Sequence, residues 1–149
     1  MTVNTYQKIL EDTILNVFEN MYYMFPEKQM NNDDHFSFPL SCFYTKVSFC
    51  TNQKKIILWG TKQLAAKMAK NFLGEDRAFS NAELIDIFKE AANVIIGNFI
   101  SASDSAPDIR FQVPVISEKQ IMQYDKDISN AVDLVYIIEN EFFRIALAA

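Results

Sequence analysis

The chain has 149 residues, half of them apolar and 13% aromatic, so it has the length of one domain and enough core side chains to exclude a disordered protein. A net charge of −5 and an isoelectric point near 4.8 disfavour nucleic acid as a partner, because no basic stripe is present to meet phosphates. No apolar run approaches the roughly 20 residues that cross a bilayer, and residues 1–6 lack the basic and apolar regions of a signal peptide. We therefore expect a single cytoplasmic domain over residues 1–149, without membrane or nucleic-acid partners.

The first part of the chain predicts a helix, a loop and a β-hairpin. Residues 3–25 carry apolar side chains at helical spacing, and Pro26 ends that helix. The polar residues 27–39 predict an exposed loop. Segments 40–51 and 54–60 are rich in Phe, Tyr, Val, Ile and Trp, with a short polar turn between them, which is typical of a hairpin.

Capping residues mark two further helices. Thr61 begins a second helix that runs to about Phe72, and Gly74 is a suitable residue to stop it. Ser80 is a good N-cap for a third helix, and Glu83 three residues later completes a capping box. The middle of the chain is therefore predicted to be helical.

The last third of the chain predicts mainly strands. Residues 101–107 are turn-rich and 108–116 alternate like a half-buried strand, while 120–124 suit a short strand or an excursion. Segments 131–138 and 142–147 are strongly β-like. Because helices and strands come in runs rather than in strict alternation, we expect an α+β fold with an antiparallel sheet packed against helices.

The third helix has two faces. At about 100° per residue one arc is apolar; it contains Leu84, Ile85, Phe88, Ala91, Ala92, Ile95, Ile96 and Phe99. Four residues form a stripe almost opposite, about one turn apart: Asp86, Glu90, Asn93 and Gly97. Since glycine in a helix costs roughly 1 kcal/mol relative to alanine, the place of Gly97 in line with polar groups suggests that this position leaves space for a binding partner. We predict that Glu90 and Asn93 are exposed on the same helix face, while four residues of the apolar arc are buried: Phe88, Ala92, Ile95 and Phe99.

The stripe carries a family resemblance. Asp-x3-Glu-x2-Asn, formed by Asp86, Glu90 and Asn93 and followed some twenty residues later by Pro114, resembles the signature of the CheC/CheX/FliY phosphatases of bacterial chemotaxis. Chain length, the single motif and the element order are most similar to CheX, and the specific match covers about residues 83–116. The resemblance implies a CheC/CheX-like fold and a homodimer.

The resemblance also implies a reaction. Its substrate would be a phosphorylated CheY-type receiver domain, whose phosphoryl group forms a mixed anhydride with an aspartate. Asn93 would orient the hydrolytic water, and Glu90 would pair with a lysine of the receiver. Asp86 and Gly97 would help to bind the receiver. The receiver would bring Mg²⁺, so the chain itself would need no cofactor.

Other interpretations of the same residues stay open. The stripe could be a solvated helix face, and the chain could be a non-catalytic module that binds a receiver or another signalling partner. Ile87 and Val94 could form the apolar rim of a contact or pack under a neighbouring helix. Pro114 could simply shape an edge strand. A small-molecule sensor is a third class, which a large enclosed cavity would favour.

No metal site is predicted. Cys42 and Cys50 lie in a strand-like region without the spacing of metal ligands, so buried reduced thiols are favoured over a disulfide or a metal. Residues 33–35, Asp-Asp-His, are too short and local a cluster to predict one.

Overall fold

The computed structural model describes residues 2–29, 41–49, 54–103, 111–119 and 130–148. Within these ranges lie the helices α1 (Val3–Tyr22), α2 (Lys62–Leu73) and α3 (Asn81–Ser103) and the strands β1 (Glu27–Lys28), β2 (Cys42–Phe49), β3 (Lys54–Gly60), β4 (Ser117–Lys119), β5 (Asn130–Ile138) and β6 (Glu141–Ala148). Among these helices, none combines the length and the apolar character that a membrane span requires.

The strands form one antiparallel sheet in the order β1-β5-β6-β3-β2-β4. Strands β2 and β3 pair as the predicted hairpin. Strands β5 and β6 are joined by Glu139 and Asn140, both of which have positive φ, as a tight two-residue hairpin turn requires. The α+β prediction, with an antiparallel sheet packed against helices, is confirmed.

Alternate strand residues separate the two faces of the sheet. One set forms the main core with the apolar faces of all three helices, and includes Ile56 and Leu58 of β3. The intervening residues form a second buried cluster of Cys42, Tyr44, Ile57, Trp59, Val135, Phe142 and Ala146. Cys42 is a free buried thiol, and burial raises its pKa to about 12, so it is unreactive. Cys50 lies outside the described residues.

One aromatic ring of helix α3 lies especially close to the sheet. Phe88 is 1% exposed and lies over Gly60 at the end of β3, with the Phe43 ring 5.7 Å away. A Cβ atom on Gly60 would lie only 2.7 Å from the Phe88 ring. The missing side chain at Gly60 therefore sets how closely α3 approaches the sheet.

The start of α3 is fixed by the predicted capping box. The Ser80 N–H donates to Glu83 Oε1 at 3.1 Å, and the Glu83 N–H donates to Ser80 Oγ at 3.2 Å. Arg77 Nη2 also donates to Glu83 at 2.7 Å. The Arg77 guanidinium and the Ser80 amide lower the pKa of Glu83 to about 2.

The predicted caps of α2 are also confirmed. Thr61 Oγ accepts from the Leu64 N–H at 3.0 Å, and Gly74 ends the helix with φ of 67°.

The end of α1 was predicted too late. The helix stops at Tyr22, because Tyr23 takes a left-handed conformation with φ of 57° and its N–H donates to the Phe18 carbonyl. Phe25 precedes Pro26, a position that disfavours helix, and its side chain is 71% exposed rather than part of the apolar stripe.

The prediction of a loop over 27–39 was wrong at its start. Glu27 and Lys28 pair with Ile137 and Tyr136 of β5, although both side chains are exposed, because the pairing uses backbone groups. Residues 30–40 lie outside the described part of the chain.

Two predictions after α3 were also wrong. The helix continues through Ser103, where a loop was expected from residue 101. Residues 111–116 have no regular secondary structure, and pairing with β2 begins only at Ser117. Pro114 has no N–H to donate to a strand partner, which accounts for the late start. Residues 104–110 and 120–129 are not among those described.

The contact between Gly60 and Phe88 leads to a stability prediction. Gly60→Ala should lower the free energy of unfolding by about 1–3 kcal/mol, since the added methyl would overlap a ring that is buried in the core. Urea denaturation measures this change. Gly97→Ala is the matched control: its Cβ would lie 3.7 Å from Phe111, an ordinary contact, and alanine is the better helix former. A Gly60→Ala protein as stable as the original chain would show that Phe88 does not fix this helix.

The low pKa of Glu83 predicts a pH-dependent stability. A carboxylate whose pKa is lowered by folding stabilises the protein above its ordinary pKa of 4.5, and that contribution is lost as the pH falls towards 2. Glu83→Gln should therefore lower the melting temperature at pH 7, and the difference should close between about pH 4.5 and 2.

Thr2→Ala serves as the control for that experiment, because the Thr2 hydroxyl caps α1 through the Thr5 N–H and bonds to no carboxylate of the described residues. It should cost about 1 kcal/mol at every pH. A difference between Glu83→Gln and the original chain that is independent of pH would contradict the proposed ion pair.

Candidate functional site

Helix α3 presents its polar stripe to solvent. Asp86, Glu90 and Asn93 are exposed, whereas four apolar residues on the other side are at most 1% exposed: Phe88, Ala92, Ile95 and Phe99. The predicted exposure of Glu90 and Asn93 over a buried apolar arc is therefore confirmed.

The stripe forms one wall of an open cleft of about 370 Å³. The opposite wall comes from the irregular segment 111–116, and the lining residues are Asp86, Lys89, Glu90, Asn93, Val113 and Pro114. Pro114 is buried, whereas Val113 is 67% exposed. The structure therefore brings the three polar residues of the motif together with its proline, although they are some twenty residues apart in sequence.

Gly97 is the stripe residue that does not line this cleft. It is half-buried, and a Cβ atom on it would lie 3.7 Å from the Phe111 ring. The space that the glycine leaves is therefore next to Phe111 of the same chain. A role for Gly97 in partner binding stays a prediction.

Glu90 has an electrostatic neighbour in the core. Burial raises the pKa of the Tyr22 hydroxyl above its ordinary value, and the negative charge of Glu90 is a second, smaller cause of the same shift. Tyr22 is the last residue of α1 and is 1% exposed. The end of α1 therefore lies near the cleft, and Tyr22 stays neutral at physiological pH.

Ile87 and Val94 are half-buried and pack against the main core. This favours packing over an apolar rim. Asn98 is exposed and lies along a different groove, of about 470 Å³, between α3 and α1.

Two cleft residues were missed from sequence. Lys89 occupies a variable position of the family motif, which therefore does not point to it, yet it lies four residues before Asn93 and so on the same side of the helix. The sequence predicts a half-buried strand around Val113, and that pattern does not indicate that the Val113 side chain is exposed. Its neighbour Val115 is 78% exposed, so the segment presents two valines to solvent.

The cleft offers a mixed set of charges. It holds two carboxylates, one ammonium group and one carboxamide, together with apolar groups from Val113 and Pro114. Across the described ranges, no group of three or more His, Cys, Asp and Glu side chains could hold a metal ion. The cluster at residues 33–35 lies outside those ranges. Such a cleft suits contact with a partner that carries its own charges.

Comparison with protein families finds a match. The model of the family "Chemotaxis phosphatase CheX" matches residues 51–134. Comparison with curated proteins finds no similar sequence.

Solved structures match nearly the whole chain. The structure of chemotaxis protein CheX from Vibrio vulnificus has a TM-score of 0.73 and 16% identity, over 97% of this chain and 98% of that one. CheX from Desulfovibrio desulfuricans has a TM-score of 0.69 and 17% identity, with the same coverage. The CheX chain of a CheX–CheY–BeF3–Mg²⁺ complex from Borrelia burgdorferi has a TM-score of 0.65 and 15% identity, over 96% of both chains. At these identities the structures show a shared fold.

The family match covers more than half of the sequence, and the fold and the motif on α3 agree with it. The chain belongs to the chemotaxis phosphatase CheX family.

Proposed function

We propose that the chain is a phosphatase that hydrolyses the aspartyl phosphate of a CheY-type receiver domain. One observation carries the proposal: Glu90 and Asn93 are exposed together in an open cleft, on a helix whose other face is fixed in the core. A protein substrate can reach such a site. We expect it to act in chemotaxis or related two-component signalling, in the cytoplasm.

The chemistry requires little from the enzyme. The phosphoryl group of the receiver is bound through a mixed anhydride, which is already activated, so no nucleophilic side chain is needed. Water attacks phosphorus as the bond to the aspartyl oxygen breaks. The aspartate leaves as a carboxylate, and the two water protons leave with the phosphate. Holding that water in line is the main contribution that remains.

Asn93 suits this task. Its amide oxygen accepts a hydrogen bond from the water and its NH₂ group can donate one, while the side chain has no charge to repel the phosphoryl group. Because α3 is a helix with its apolar face buried, the side chain starts from a fixed backbone. We propose that Asn93 orients the attacking water.

Glu90 has a different proposed role. Its carboxylate, one turn before Asn93, would pair with a lysine in the receiver and fix the register of the complex. Asp86 and Gly97 are proposed to contribute to receiver binding. Mg²⁺ would arrive with the receiver, and the Borrelia burgdorferi structure contains CheX, CheY, BeF3 and Mg²⁺ together.

A non-catalytic binding module of the same fold is the rival function. It would need no exposed carboxamide, so burial of Asn93 against another element would have favoured it. The exposure of Asn93 beside Glu90 supports catalysis instead. For the sensor class, the cleft described above is open and lined mainly by exposed polar side chains, which gives a small apolar ligand little to bind.

The proposal predicts different effects for the two stripe residues. Asn93→Ala should slow dephosphorylation by about 10²-fold or more at saturating receiver while leaving binding nearly intact. Glu90→Ala should weaken both binding and turnover, because it removes a charge pair across the interface. Phosphate loss and binding curves measure the two effects separately.

Asn98→Ala is the matched control, since Asn98 is an exposed asparagine on the same helix but outside the cleft. It should leave the rate unchanged, and all three variants should keep their stability within about 0.5 kcal/mol. Full activity of Asn93→Ala would end the water-positioning role.

We also propose a homodimer. In the sheet, β6 lies between β5 and β3, so it is not available to another chain. Among the described residues, β1 pairs with β5 at Tyr136 and Ile137, and the Gln29 N–H donates to the Val135 carbonyl. The outer edge of β5 before Val135 is therefore the candidate for pairing between chains. Sedimentation velocity at micromolar concentrations should show a dimer. A monomer at every concentration would contradict the proposal.

A further inference from the structure

Lys89 is the cation of the proposed site. It is exposed, and it lines the cleft together with Glu90 and Asn93. Around the helix axis Asn93 lies between the two charged residues, about 40° from Lys89 and about 60° from Glu90. Both charged residues are about one turn before Asn93, on the side of the helix that faces the cleft.

The ammonium group of Lys89 is not engaged within the described chain. Lys62, Lys67 and Lys70 each form an ion pair with a carboxylate. For Lys89 no ion pair or hydrogen bond joins it to another described residue, although Asp86 and Glu90 are close in sequence. It is therefore available to a partner.

The charge of the substrate gives this lysine a role. A phosphoryl group carries about two negative charges, and Asp86 and Glu90 in the same cleft would repel it. A cation beside Asn93 offsets that repulsion at the position where the phosphoryl oxygens must come. Glu90, in contrast, would face a lysine of the receiver.

We propose that Lys89 contacts an oxygen of the phosphoryl group and makes the site select the phosphorylated receiver; this inference rests on the function proposed above. The contact is present before reaction as well as during it. It therefore contributes to binding rather than to the rate at saturation, unlike Asn93.

The test measures the affinity of the chain for two forms of a CheY-type receiver from the same organism. One form is loaded with Mg²⁺ and BeF3⁻, and the other has no BeF3⁻. Lys89→Met keeps an unbranched side chain and helix propensity but removes the charge. It should reduce the ratio of the two affinities about tenfold or more, the loss expected for a charge-assisted hydrogen bond. Lys89→Arg should keep the ratio within about threefold, because the charge remains.

Steady-state kinetics give a second readout. Lys89→Met should raise KM for the phosphorylated receiver about tenfold and change kcat less than about threefold. Lys8→Met is the charge-matched control, because the Lys8 side chain is 79% exposed on α1 and does not line the cleft. The Lys8→Met variant should keep the affinity ratio of the original chain. Melting curves verify that each variant is folded.

The outcomes separate the two proposals. If the original chain does not accelerate phosphate loss, the proposed function fails, and this inference fails with it. If the original chain is active but Lys89→Met keeps the affinity ratio, only the role of Lys89 is overturned. An equal loss of affinity for both receiver forms also overturns it, since that result indicates general attraction to an acidic surface.

Discussion

The contact between the Phe88 ring and the bare backbone of Gly60 sets how closely α3 approaches the sheet. The ring is 1% exposed, and the Phe43 ring packs beside it at 5.7 Å. Once Phe88 is placed, the periodicity of the helix sends the rest of its apolar arc into the core. The same periodicity turns Asp86, Glu90 and Asn93 outward. The geometry of the site is thus a consequence of packing on the opposite face of the helix.

The cleft is completed by a segment of a different kind. Residues 111–116 have no regular structure, yet Pro114 is buried and Phe111 lies beside Gly97. These two anchors, one at each end of a short run, hold Val113 at the cleft and leave it exposed. A rigid helix provides the polar groups, and an anchored segment provides an apolar wall. This division suits a site whose proposed work is to position a partner and a water molecule rather than to form a bond.

Much of this arrangement could be predicted from sequence. The capping box at Ser80 and Glu83, the glycine at the end of α2 and the two faces of α3 follow from local rules of helix formation, and the structure confirms them. Other predictions were wrong for reasons that side-chain patterns do not show. The alternation in 108–116 suggested a strand, but Pro114 cannot donate to a strand partner. The pairing of Glu27 and Lys28 with β5 is made by backbone groups, so their polar side chains gave no signal.

The site was predicted in part. The motif located Glu90 and Asn93, because both the family pattern and the helical period point to them. The motif does not indicate Lys89, because Lys89 occupies one of its variable positions; only the spacing of four residues from Asn93 places it on the same side of the helix. For Gly97 a role in partner binding stays a prediction, and only the structure shows that Phe111 lies against it.

The activity proposed for this chain is acceleration of the attack of water on a receiver's aspartyl phosphate. The most direct measurement is single-turnover loss of phosphate from a phosphorylated CheY-type receiver at increasing concentrations of the chain. If the chain is such a phosphatase, the rate constant rises above the spontaneous rate and saturates as the complex forms. A rate constant that stays at the spontaneous value, while the BeF3⁻-loaded receiver still binds, would contradict the proposed activity and support a non-catalytic binding module.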